Sequence, residues 1–577
     1  MLRTRLIVSL ALAALLPPAL AQGSSADPAA SVQTSSPRFL HEFGEPGQRG
    51  SFRVQFDARG AGVVFLQLMD NFVNTAAKER AARGDYDPAD YQLLVYAGGD
   101  YSFVVNQSPD TPLFQQNLTT ARWEHAVDES TGEVRFWIDS AEGLRLTKTF
   151  RHRPELRGLL VELQLENRGS ESMSGAFLFD LGGPALVHKP ELMFLTTTAV
   201  AIGSVVGSEE AVVQPPELGL TQELLALQNQ ELSMAGTTNR FFGGFFWPDA
   251  DTDPRAVRRI TVDALRQNDP EAGDVGPIPR LWLDTKIAIP APGASSTVGL
   301  NIFLGPKSYR VFDEQPEFQR FLPIMDFDLE PPCCGLNVPG GRFMASSLLK
   351  LLGWFESILG SWGLAIMLLT ILVRGSLAPL NFRMQKSMRA FGSKMAVLKP
   401  KLDALKEQYA GDPKAQQQAM IQFQREHKMI PPIGGCLPIF LTMPIYIGLF
   451  TALRTAYDLR QEPFMGWISD LSQADRLFPL GIPYIEYFNL LPLLWIALLV
   501  TLQLRMPLPT DPQQRQVQQI MRYMPVIFGI MLYNYASGLM VYMVTSMIWT
   551  FGESAVIKKI LGPVDPAAGS VMPTPVM

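Results

Sequence analysis

An arginine interrupts an apolar run. Residues 364–380 read LAIMLLTILVRGSLAPL, with Arg374 inside the stretch. A guanidinium near the centre of a membrane span costs about 2.5–3.5 kcal/mol on insertion scales, so it needs water, a partner or a use. If the span closes at Val373, the side chain merely reaches down to the inner headgroups. Leu377, Ala378 and Leu380 continue the run, however. They leave the guanidinium roughly 9 Å inside it at about 1.5 Å per residue. No Asp or Glu falls within the other apolar stretches, and Glu553 sits only near the inner end of the last one. A positive charge without a built-in counter-ion can attract something anionic from outside the chain. A proton or cation pathway would instead show intramembrane carboxylates. Thr370, Thr442, Gln503, Asn534 and Tyr542 could line the same wet cavity, and each also reads as an ordinary helix-packing residue.

Other chemistry finds less support. The sequence carries no nucleophile elbow, HExxH or phosphate loop. Its five histidines (His41, His125, His152, His188, His427) are scattered, and three cysteines make neither a disulfide scaffold nor a four-cysteine zinc site. No metal and no cofactor is expected. Cys333 and Cys334 lie in a Pro- and Gly-rich loop, where they read as a vicinal disulfide, an interchain pair or two plain thiols. Asp180 and Glu162 could pair as in a glycosidase, or be solvated strand-edge carboxylates. A net charge of -6 argues against nucleic acid as a partner.

The elements that must position Arg374 follow from composition. Over 577 residues, 47% apolar and 18% charged residues suit a soluble part and a membrane part sharing one average. Arg3 and Arg5, an apolar run over 6–16 and Ala19-Leu20-Ala21 read as a signal peptide, 1–21, with an uncleaved anchor as the rival. A flexible linker, 22–38, follows. From 39 to 325 strand patterns dominate: Leu159, Val161, Leu163 and Leu165 alternate with their neighbours, as do Val134, Phe136 and Ile138. A large exported antiparallel sandwich is expected there, with one helix around 216–230. A second linker, 326–342, leads to an amphipathic interfacial helix, 343–360.

The membrane domain, 361–560, is expected to contain five spans, at about 361–380, 433–453 and 488–504, and two from 523–557 divided at Ser537-Gly538. The segment 383–430 is rich in Lys and Arg, including Lys394, Lys399, Lys401 and Lys406. Asp412-Pro413 offers a helix start within it, so a cytoplasmic helical hairpin is expected. Its basic face meets anionic headgroups or an acidic partner, or is simply solvated. The positive-inside rule puts this segment, 505–522 and the short tail 561–577 in the cytoplasm, with the sandwich outside. Eighteen of 24 methionines lie from residue 343 onward, suited to varied apolar partners or to ordinary span filling.

Three stretches carry a resemblance. Trp362-Gly363-Leu364 leading to Val373-Arg374-Gly375 and Pro379-Leu380 resembles the first core span of YidC-type (YidC/Oxa/Alb) membrane protein insertases. Gly434-Gly435-Cys436-Leu437-Pro438 with Met443-Pro444 resembles the second, and Met524-Pro525 with Ser537-Gly538 the last hairpin. The layout is similar to the Gram-negative form with a large periplasmic domain. What the resemblance implies is an α-helical core of five spans beside an antiparallel β-supersandwich in the periplasm. It also implies a groove holding Arg374, open to cytoplasm and lipid, that admits a client's hydrophilic tail. The implied partners are nascent membrane-protein clients, the Sec translocon, the signal recognition particle and its receptor, and the lipid bilayer. The location implied is the inner membrane, and the role that of an inserting chaperone rather than an enzyme. Departures are Tyr542-Met543, where relatives often have two aromatics, and a tail without a basic extension. Two other readings compete: a secondary transporter with an exported solute-binding domain, though no internal repeat is visible, and a membrane-tethered carbohydrate enzyme.

Overall fold

The computed structural model describes residues 37–562 apart from 97, 99, 110–111, 188–198, 209–210, 228–229, 270–272, 329–340, 410, 428–436, 483–484, 505–522 and 525. The expected signal peptide, Cys333 and Cys334, Gly434, Gly435 and Pro525 lie outside the described residues, as does the tail from 563.

The first part is a β-sandwich-rich domain of three antiparallel sheets. Strands β1 (Arg38–Phe43), β2 (Phe52–Asp57), β3 (Gly62–Phe72) and β4 (Tyr91–Tyr96) make a meander. A five-stranded sheet follows the order β13 (Gln222–Ala226), β16 (Val257–Asp269), β17 (Gly273–Ala288), β10 (Ala176–Gly182), β5 (Val105–Gln107). The largest sheet runs β12 (Val212–Gln214), β11 (Val200–Val205), β14 (Leu232–Thr238), β15 (Phe242–Pro248), β18 (Ser295–Pro306), β9 (Gly158–Asn167), β8 (Leu144–Arg153), β7 (Val134–Asp139), β6 (Glu124–Val127). Period-two alternation explains the inward faces: Val134, Phe136 and Ile138 on β7 and Leu159, Val161, Leu163 and Leu165 on β9 are all buried. Residues of all three sheets share one core. Its centre is aromatic, with Phe56 and Phe150 rings 5.0 Å apart and Phe103 and Phe246 6.0 Å apart.

The helix expected around 216–230 is not there. The segment contributes β13, paired to β16, with Leu224 and Leu227 buried in the sandwich core. Helix-favouring Gln, Glu and Leu lose to a ladder and a core that only the folded sheet supplies.

Short helices α1 (Thr75–Ala82), α2 (Tyr309–Phe312) and α3 (Leu322–Asp328) decorate the sandwich. The helical part comprises α4 (Gly341–Leu359), α5 (Trp362–Gln408), α6 (Pro413–Glu426), α7 (Leu437–Thr455), α8 (Leu490–Leu504) and α9 (Ser537–Leu561). On α4, Leu348, Leu352 and Phe355 are buried while Phe343, Trp354 and Ile358 are exposed. α5 is one unbroken helix of 47 residues with Pro379 and Pro400 inside it. The expected span and the basic segment beyond it are therefore one continuous helix, about 70 Å along its contour. Asp412 caps α6, accepting from the Lys414 and Ala415 amides at 3.0 and 3.2 Å, with Pro413 at the first turn. Among the described residues, 362–387 of α5 and all of α9 are long and apolar enough to cross a membrane, and α8 is a shorter apolar helix. The chain turns at 532–536 before α9 begins at Ser537.

Candidate functional site

The space around Arg374 is built by α5 and α9. Their contacts advance in step: Ile366 lies beside Gly538, Arg374 meets Ser546, Gly375 faces Trp549, and Arg389 donates to the Gly562 carbonyl at 3.0 Å. The two helices therefore run side by side in the same direction. Ser537-Gly538 lets α9 start close to the loop that follows α7. The Gly538 amide donates to Leu471 O at 2.8 Å, and a Cβ at Gly538 would sit 3.0 Å from that oxygen. The Ser537 hydroxyl donates to Asp470 O at 2.9 Å.

Arg374 is half-buried, about 18 Å along α5 from Trp362 at roughly 1.5 Å per residue. Its Nη2 donates to the Ser546 hydroxyl, and its guanidinium also hydrogen-bonds the Tyr542 side chain. Among the described residues its partners are thus hydroxyls, with no carboxylate in contact. Tyr542, Ser546, Trp549 and Glu553 stand at i, i+4, i+7 and i+11, one face of α9 turned to α5. Farther along this face the Trp549 indole N–H and one Glu553 carboxylate oxygen are buried without a partner among the described residues. Pro379 cannot donate to the carbonyl of Gly375, four residues back, so that carbonyl beside Arg374 loses its helical partner.

The other expected site residues are scattered. Thr370 is fully buried and its hydroxyl donates to Ile366 O at 2.7 Å, within its own helix. Gln503 is half-buried near the end of α8. Asn534 falls in the turn before α9, where it accepts from Asn489 Nδ2 at 3.1 Å. That places it at the start of α9, roughly 14 Å or more from Ser546 along the helix. Thr442, Met443 and Pro444 belong to α7 and Pro438 to its first turn, and their side chains lie outside the described residues. Lys401 is exposed on α5, and Lys394, Lys399 and Lys406 occupy the same helix with side chains outside the description. Ser546 was the partner not anticipated. Its signal was present in the sequence, a hydroxyl one turn after Tyr542 on the same helix face.

Comparison with known proteins adds a context. A family model described as "60Kd inner membrane protein" matches residues 354–563. The membrane protein insertase YidC of Aliivibrio salmonicida is 34% identical over 520 residues, covering 88% of this chain and 84% of that one. YidC of Neisseria meningitidis is 40% identical over 302 residues, 52% of this chain. The chain spans about half of that relative, 48% of its length. Among solved structures, an active YidC insertase with its first transmembrane domain resolved matches at a TM-score of 0.32 and 17% identity, covering 91% and 94% of the two chains.

Proposed function

Because the chain belongs to the YidC family of membrane protein insertases, we propose that it inserts and helps fold integral proteins of the inner membrane through a groove organised by Arg374. In this reading five core helices cross the membrane: the first part of α5, α7, α8, the helical stretch ending near 531, and α9. The sandwich stands in the periplasm, and the basic half of α5 with α6 forms a cytoplasmic hairpin. The arrangement agrees with the lysines and arginines of 383–430.

The mechanism needs no covalent step and no nucleotide. A client's short acidic or polar tail is drawn toward the guanidinium, whose hydroxyl partners orient it without cancelling its charge. The client's apolar segment meanwhile leaves water for lipid, worth about 25 cal/mol per Å² of apolar surface. That partition supplies the drive, and the arginine lowers the barrier for the polar flank. The basic hairpin offers a docking face for the Sec translocon, or for the signal recognition particle and its receptor, and α4 lies in the outer interface.

The observation that carries this reading is a half-buried guanidinium, deep along an apolar helix, held by Ser546 and Tyr542 rather than by a carboxylate. Its test is insertion into proteoliposomes of paired clients whose translocated tails are acidic or uncharged. Arg374→Ala is expected to reduce insertion of acidic-tailed clients at least several-fold more than that of uncharged ones, with Arg374→Lys retaining much of the activity. Equal insertion of both client types by Arg374→Ala would overturn the charge model.

A further inference from the structure

Between α7 and α8 the chain forms a two-stranded hairpin, β19 (Phe478–Ile482) and β20 (Ile485–Phe488), that pairs with no other strand among the described residues. Every residue of β19 is exposed. Phe478, Leu480, Ile482 and Ile485 are 45%, 38%, 51% and 40% exposed, a contiguous apolar surface on so small an element. A lone two-stranded hairpin is at best marginally stable in water. This one is nonetheless ordered internally: Phe478 and Phe488 stack with ring centroids 4.8 Å apart, and Ile482 pairs with Ile485.

Its base is pinned to the outer end of α8. Asp475 accepts from the Leu490 and Leu491 amides at 2.8 and 3.1 Å, capping that helix from a distance in sequence. Asn489, fully buried, accepts from the Arg476 amide and donates to Tyr533 O. The hairpin therefore leaves the helical part at the level where α8 begins, and Leu493 and Leu494 in the first turn of that helix are exposed as well. At the base Arg476 lies over the Tyr487 ring at 5.1 Å, an aromatic and a cation of the kind found at headgroup level.

We propose that this hairpin is a lipid anchor, a shallow wedge seated in the interfacial zone of the outer leaflet. The occupant that fits is acyl chain, because the apolar surface is pinned at the start of the apolar helix α8, whose Leu493 and Leu494 are exposed, and carries only Glu486 as a charge within its strands. Depth is limited by the backbone. Two open strand edges cannot enter hydrocarbon unpaired, so the wedge stops where headgroups and water still reach them. The anchor would hold this loop at a fixed height in the leaflet. It rests on the reading of α8 as a span.

The test uses the full chain with its three cysteines changed to serine, reconstituted in phosphatidylethanolamine–phosphatidylglycerol vesicles. Nitroxides are placed singly by Leu480→Cys, Ile482→Cys, Leu493→Cys on α8 and Val206→Cys on the sandwich. Collision rates with oxygen and with a water-soluble nickel chelate are then measured. Oxygen-to-nickel ratios at 480 and 482 several-fold above that at 206 are expected. Ratios at 480 and 482 matching 206, with 493 in lipid, would overturn the anchor while leaving the span intact. A water-like ratio at 493 would overturn the span reading itself. Protection from both reagents at 480 and 482 would also overturn the anchor, since a protein surface, from a second copy or a partner, would then be the cover.

Discussion

A guanidinium that donates to Ser546 and Tyr542 keeps its net charge, whereas a carboxylate partner would have cancelled it. Hydrogen bonds to charged groups are worth about 1.5–3 kcal/mol, so Ser546→Ala is expected to destabilise the membrane domain by roughly that amount. Thermal unfolding in detergent would show it, and Ser546→Thr should restore most of the loss. A fully buried lysine lies in the sandwich. Lys148 donates to Phe103 O at 2.5 Å with the Phe150 ring 5.3 Å away, and burial pushes its ammonium down to about 7. Between that value and the unfolded value of 10.5 the unfolded chain binds the extra proton, so stability rises with pH across this window. Below about 7 both states are protonated and the burial penalty is fully present. Lys148→Met is expected to flatten the rise and to stabilise the sandwich at neutral pH, read by urea midpoints from pH 6 to 10. An unchanged pH slope in the variant would assign the dependence elsewhere. Tyr542 was legible at this scale as a candidate beside Arg374, but Ser546 and the burial of Lys148 were not. Residue type marks a charge as expensive, but only coordinates say which neighbours face it.

Helices and strands were read more securely from local pattern. The alternations on β7 and β9 and the Asp412-Pro413 start of α6 appear as the residues dictate, because a two-residue or 3.6-residue period and a cap are local properties. The segment 216–230 shows the opposite, where β13 wins its conformation from β16 rather than from its own propensity. Glycines in the helical part mark close approaches that spacing alone does not reveal. A Cβ on Gly363 would stand 2.0 Å from the Phe464 ring, so this turn of α5 tolerates no side chain. Gly363→Val is expected to cost about 1–3 kcal/mol by overpacking and to displace the loop carrying Phe464. A thermal midpoint equal to that of the parent chain would show that the loop yields freely.

Across the whole molecule the loop after α7 ties the helical part to the sandwich. Tyr457 packs on Phe242, ring centroids 5.7 Å apart, and its hydroxyl bonds Asn71. Arg460 donates to Phe72 O and Gln92 at 2.8 and 2.6 Å, and Ser308 donates to both oxygens of Asp458 at 2.9 Å. Burial raises the Tyr457 hydroxyl to about 12 and pushes the Asp458 carboxyl upward. Such a joint links the sandwich to the end of α7 through ring packing and hydrogen bonds. Tyr457→Ala is expected to cost about 3 kcal/mol locally, which is roughly a hundredfold faster amide exchange across 457–462. Strands β8 and β9 should stay protected. Uniform acceleration over the whole sandwich would instead make Tyr457 a general core residue.

From the sequence alone came the division into a strand-rich part and an apolar helical part, the helix start at Asp412, the break before Ser537, and the arginine out of place in apolar surroundings. Each depends on composition or on residues within a few positions of one another. The tertiary structure alone decided that Ser546 and Tyr542 hold Arg374, that Asn534 stands apart from it, that Lys148 is sealed in the core, and that residues 457–462 clasp the sandwich. Those are contacts between residues scores to hundreds of positions apart, and hydrogen bonding and burial are settled by distance in space, which no local period encodes.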